Sequence, residues 1–154
     1  MRRFVLLAAL AAGLIPLAAE AHVTVWPRQS ELGAREKYVV RAPNEKTIAT
    51  VRVEGDFPPE VRVTQLEQVP GWTVEARRDG AGTIVGAVWS GSLPPDQFAE
   101  FGLLAANPKT GAVLTWKFTQ VYADGSKVEW TGPAGSRTPA PQVQLRAAQA
   151  VDAR

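Results

Sequence analysis

Cysteine is absent from this 154-residue chain, and the single methionine is Met1. With neither thiolate nor thioether beyond the first residue, a disulfide scaffold, a Cys/His zinc site and a sulfur-lined Cu(I) site are all excluded. Histidine occurs once, at His22. A Ser-His-Asp constellation is therefore not compelling, and a two-histidine metal clamp cannot be built. A strong net charge is missing too, since 17 Lys and Arg stand against 15 Asp and Glu. Basic residues never cluster beyond pairs such as Arg77-Arg78. No phosphate-tracking surface, and hence no nucleic-acid partner, is expected.

Long apolar runs are lacking as well, with one exception at the start. Arg2 and Arg3 precede an apolar stretch from Phe4 to Leu17, and Ala19-Glu20-Ala21 has the small-x-small form of a cleavage site. Residues 1–21 read as a cleaved secretory signal peptide. Beyond them no apolar run is long enough to cross a bilayer, so no membrane anchor is expected in the mature chain. The expected product is a periplasmic or secreted domain over 22–146, with 147–154 as a polar tail. Without disulfides it must rest on an ordinary hydrophobic core.

Cleavage after Ala21 gives His22 special chemistry. An internal histidine offers a metal one nitrogen. An N-terminal histidine offers two, the α-amine and the imidazole Nδ1, which close a chelate ring on one ion. Nitrogen and oxygen donors without sulfur suit Cu(II), which also heads the affinity order of the divalent first-row metals. Chance occupancy of the first mature position is the competing explanation, and the lack of any other histidine weakens it.

Nearly everything after the signal reads as short strands. Apolar and β-branched residues alternate over 38–42, 49–53, 61–66, 72–76, 83–89, 113–122 and 128–130. Turn signals punctuate them at Pro43-Asn44, Pro58-Pro59, Pro70-Gly71, Asp79-Gly80, Pro94-Pro95 and Asn107-Pro108. Residues 97–106 are ambiguous by pattern, and the flanking prolines favour a strand. Asp124-Gly125 marks a two-residue hairpin. Within 113–122, residues 114, 116, 118 and 122 share one face and are expected to point inward. Gln120 lies in the same row, where a buried amide must find hydrogen-bond partners. Many short strands with regular turns imply an all-β, immunoglobulin-like sandwich of antiparallel strands.

The order of motifs resembles a known family. The start His22-Val23-Thr24-Val25-Trp26-Pro27 with Gly33 is followed by Pro70-Gly71-Trp72, Val88-Trp89-Ser90-Gly91, and Phe98 to Phe101. Then come Gln120-Val121-Tyr122-Ala123-Asp124-Gly125, Val128-Glu129-Trp130-Thr131-Gly132 and Pro139-Ala140-Pro141. Together they are similar to the YcnI-like extracytoplasmic copper-binding proteins. The resemblance implies a β-sandwich holding one Cu(II) through His22 in a monohistidine brace. It also implies a carboxylate and a tryptophan at the metal, matched here by Glu75 and Trp130. Glu100 and Glu129 remain open as alternatives to Glu75. A neutral indole has an N–H donor and no σ lone pair, so Trp130 would wall the site rather than ligate.

The implied role is copper buffering, trafficking or metallochaperone delivery, with a copper transporter or cuproprotein acceptor as partner. Catalysis is not expected, because a second histidine and a general-base constellation are both missing. The alternative is a non-metal protein-interaction module that uses the sandwich edge or exposed aromatics.

Overall fold

The computed structural model describes residues 21–149. The proposed signal peptide, apart from Ala21, and the last five residues of the polar tail lie outside them. Twelve strands and no helix are found among the described residues: β1 (Thr24–Trp26), β2 (Gln29–Glu31), β3 (Arg35–Pro43), β4 (Thr50–Asp56), β5 (Arg62–Leu66) and β6 (Thr73–Arg78), then β7 (Ile84–Leu93), β8 (Phe98–Ala106), β9 (Val113–Thr115), β10 (Lys117–Tyr122), β11 (Lys127–Trp130) and β12 (Gln142–Arg146). Nine strands form one curled antiparallel sheet in the order β1-β3-β8-β5-β7-β4-β10-β11, with β6 added on β7. A single residue pair, Val63 with Ile84, joins its two halves. The other three strands make a small sheet, β2-β12-β9, in which β2 and β12 run parallel.

Alternation explains which side faces in. Tyr38, Val40 and Ala42 on β3 are buried, as are Phe101, Leu103 and Ala105 on β8 and Val53 on β4. Most of their neighbours along each strand turn toward solvent, with Gly102 on β8 covered by the Lys37 and Glu67 side chains. Trp89 stacks on Phe101 at 4.9 Å between centroids. Trp116 packs against Tyr38 at 5.1 Å and Phe57 at 5.6 Å. These aromatic contacts fill the centre of a core that contains no disulfide among the described residues.

Two expectations need correction. Residues 113–122 are not one strand, because the chain changes sheets at Trp116. β9 pairs with β12 in the small sheet, whereas β10 pairs with β4 and β11 in the large one. Leu114, Trp116, Phe118 and Tyr122 are nonetheless all buried, as the period-two reading expects. Only the backbone partners change, and the side-chain pattern does not record that.

The hairpin after β10 also has three loop residues rather than two. Tyr122 N donates to Ser126 O, and Gly125 N donates to Tyr122 O. The turn is completed by Gly125 at φ 83°, the left-handed position that three-residue hairpins assign to glycine. The Ser126 hydroxyl and amide hold the exposed Asp124 carboxyl below the usual carboxylate range. This turn fixes Phe118 opposite Trp130, so the indole enters the same interior as Phe118. Of the ambiguous residues 97–106, Phe98–Ala106 form a strand, and β1, β2 and β12 are further strands that the sequence pattern did not single out.

The topology leaves β1 at one end of the sheet order and β11 at the other. The curl brings these two ends together.

Replacing Trp116 by Ala should cost about 3–5 kcal/mol in urea-induced unfolding, the usual result for a buried aromatic. Trp26 is 41% exposed, and Trp26→Ala should cost no more than about 1 kcal/mol, the scale of an exposed cation–π contact.

Candidate metal centre

His22 lies two residues before β1, whose register of Val25 opposite Val40 ties it to β3. Val23 and Val25 are both buried, so the chain is anchored on either side of Thr24. The half-buried imidazole meets the Trp130 indole with ring centroids 5.4 Å apart and planes tilted by 55°. Trp130 is 8% exposed, and its Nε1–H donates to Gln120 Oε1 at 3.4 Å. With the N–H turned to Gln120, the carbon frame of the indole is left to face His22.

A carboxylate stands at this point, and it belongs to Glu45. Its Oε1 accepts from the backbone N–H of Ala21 at 3.1 Å, one residue before His22. Glu45 lies in the loop between β3 and β4. Asn44 shapes that loop from inside: its Nδ2 donates to Ile48 O and Leu93 O, each at 2.9 Å. The loop therefore carries an exposed carboxylate on a buried, fully bonded support. Sequence reasoning missed Glu45. Pro43-Asn44 marks the turn, but nothing in the spacing ties residue 45 to residue 22.

The other carboxylates lie elsewhere. Glu75 is exposed on β6, and β7, β4 and β10 separate that strand from β11. Glu75 therefore stands at the edge of its half of the sheet opposite to Trp130, and its strand pairs with neither β1 nor β11. Glu100 on β8 accepts from Arg41 Nε at 2.8 Å. Glu129 adjoins Trp130 in sequence, but it is exposed where Trp130 is buried. No group of three or more His, Cys, Asp or Glu side chains gathers among the described residues. A metal bound here would thus depend on His22 supplying two nitrogens and on Glu45 supplying oxygen. That N,N,O set fits Cu(II).

Of the two tyrosines, Tyr122 feels the Glu45 charge and Tyr38 does not. Burial pushes the Tyr122 hydroxyl above the ordinary tyrosine range, and the negative charge of Glu45 adds to the effect. Lys46 Nζ lies 3.9 Å from the Tyr122 ring centroid. Burial also raises Tyr38; hydrogen bonds with Ser30 and Asn107 oppose the shift, and Glu36 reinforces it. On its other side His22 lines an open cleft of about 390 Å³ with Thr24, Arg28, Gln29, Gln142 and Gln144. The larger cleft, about 640 Å³, lies at β5 and β6 over Leu66, Val74 and Ile84. His22 does not line it.

Residues 22–145 match a family described as a domain of unknown function, DUF1775. The chain belongs to this family. A relative from Bacillus subtilis (strain 168), the copper-binding protein CutI, is 36% identical over 123 residues. That match covers 79% of this chain but only 60% of CutI, so the chain spans less than two thirds of that relative. The YcnI-like kinship expected from the motifs is this one. Among solved structures, a protein from Nocardia farcinica with an immunoglobulin-like fold superposes with a TM-score of 0.73 at 26% identity. The superposition covers 82% of this chain and 99% of that one. A type I cohesin from Pseudobacteroides cellulosolvens gives a TM-score of 0.53 at 9% identity, over 86% of this chain and 96% of the cohesin. That match speaks to the fold alone. The DUF1775 domain of this chain is thus an immunoglobulin-like sandwich, as its strand pattern implies.

The raised tyrosines have a consequence at high pH. A group whose folded pKa exceeds its unfolded value stabilises fully below the unfolded value, and the contribution fades as pH climbs toward the folded one. Stability should therefore begin to fall above about pH 10, the ordinary tyrosine value. An absorbance titration should show the two tyrosinates forming only above that pH.

Proposed function

We propose that this DUF1775 protein is exported, begins at His22 after processing, and holds one Cu(II) ion through the His22 amine, the His22 imidazole and the Glu45 carboxylate. One observation carries the reading: Trp130 packs against His22, and Glu45 accepts from the amide of Ala21, whose removal by processing would leave that carboxylate next to the new His22 amine. The copper-binding name of the Bacillus subtilis relative supports the choice of metal. Trp130 walls the site, limiting water on one side, while the cleft beside Arg28 leaves another side open. A site made from a single histidine, closed on one face and open on the other, suits a carrier that must release its cargo. We assign it to copper buffering or delivery in the periplasm or outside the cell, to a copper transporter or a cuproprotein acceptor. The role is binding rather than catalysis.

A protein-interaction role has an observation of its own. Trp26 and Phe98 are exposed, and the Arg41 guanidinium lies 5.6 Å from each ring. This patch occupies β1, β3 and β8, the same edge that carries His22. It fits a docking face for the acceptor and does not require a different function.

The experiment is Cu(II) titration of protein that starts at His22. One equivalent should bind tightly, and protein extended by a single glycine before His22 should lose most of the affinity. Glu45→Gln should weaken binding by an intermediate factor, and Glu75→Gln should leave it unchanged. Cu(II) must displace protons from its nitrogen ligands, so affinity should rise with pH. Equal affinities for the processed and extended proteins would refute the brace.

A further inference from the structure

Gln120 is fully buried, and its amide joins three separate parts of the molecule. Nε2 donates to Pro43 O at 2.9 Å and to Thr50 Oγ1 at 2.7 Å. Oε1 accepts from Trp130 Nε1 at 3.4 Å. The partners fix which way round the amide lies. A proline carbonyl only accepts and an indole N–H only donates, so the NH₂ must face Pro43 and the oxygen must face Trp130. A flipped amide would break both bonds at once.

These partners sit around the loop that carries Glu45. Pro43 closes β3 at the start of that loop, and Thr50 opens β4 at its end. One amide thereby grips both ends of the loop, while Asn44 sets its internal shape. The third bond reaches β11, the last strand in the sheet order, which is hydrogen-bonded to a neighbour only along β10. Such a short edge strand would otherwise hold Trp130 by one ladder alone. Core packing would need an apolar side chain at position 120, in line with Phe118 and Tyr122. An amide there costs stability unless every polar atom is paired.

From this geometry, and resting on the copper reading above, we infer that Gln120 is a positioning residue of the metal centre: it sets the Trp130 indole and the Glu45 loop at one fixed separation beside the start of the mature chain. It acts through the indole and through the loop ends.

The test compares Gln120→Met, which keeps length and apolar bulk but removes all three bonds, with Thr50→Val, which removes one. Three quantities are read: Cu(II) affinity, the number of species in the Cu(II) EPR spectrum, and exchange of the Trp130 indole N–H in metal-free protein by NMR. Gln120→Met should lower affinity about tenfold or more, within the range seen when groups behind metal ligands are removed. It should also replace one EPR species by a mixture and speed indole exchange. Thr50→Val should shift all three the same way by less. If Gln120→Met does not fold, Thr50→Val decides alone.

Variants that lose thermal stability yet keep wild-type affinity, a single EPR species and slow indole exchange would reduce Gln120 to a structural residue and overturn the inference. Should wild-type protein bind no Cu(II), the copper reading falls by itself. Indole exchange then still judges Gln120: faster exchange in the variants supports its hold on Trp130, and unchanged exchange overturns it.

Discussion

The pairing of β1 with β3 is the constraint on which the rest of the candidate site depends. A chain end is the least ordered part of most domains, and ordering each backbone residue costs on the order of 1–2 kcal/mol. Here three residue pairs, Thr24 with Arg41, Val25 with Val40 and Trp26 with Val39, hold the start of the domain in register. Burial of Val23 and Val25 adds apolar contact on the inward side. His22 is therefore presented at the sheet edge by a structure that is already ordered. A donor atom on a loose terminus would have to be ordered at the moment of binding.

Curling of the sheet then supplies the surroundings. Strand β11 lies at the far end of the hydrogen-bonded order from β1, yet Trp130 reaches His22 because the order closes on itself. Glu45 arrives by a third route, on a loop propped by Asn44. Gln120 links these arrivals, since it bonds both the tryptophan and the two ends of the loop. No cluster of acidic or histidine side chains is needed. The proposed chemistry rests on where one histidine sits.

Much of this was legible in the sequence, and the rest was not for definite reasons. Period-two alternation reports which side chains are buried, so the inward set of Leu114, Trp116, Phe118 and Tyr122 could be read directly. Alternation does not report which strand lies next door, so the change of sheets at Trp116 left no trace. The same blindness governs the carboxylate. Glu75 follows Trp72 in a suggestive motif, but strand order puts it at the opposite edge of its half of the sheet. Glu45 sits in an unremarkable turn, and only the fold brings it to the backbone of Ala21, next to residue 22. His22 itself needed no fold to be noticed, because its claim rests on the cleavage site and on the lack of sulfur and of other histidines. Gln120 announced itself as an amide in an apolar row, and the structure shows what it bonds.

The central claim is that the copper site is made by residue 22 as a chain terminus. Pulsed EPR of the Cu(II) complex, with protein that starts at a ¹⁵N-labelled His22, tests it most directly. The account predicts coupling from one imidazole and from one amine nitrogen of the same labelled residue, in a single species with one chain per copper. Coupling from two imidazoles, which would require two chains, or a spectrum indifferent to an added residue before His22, would contradict it.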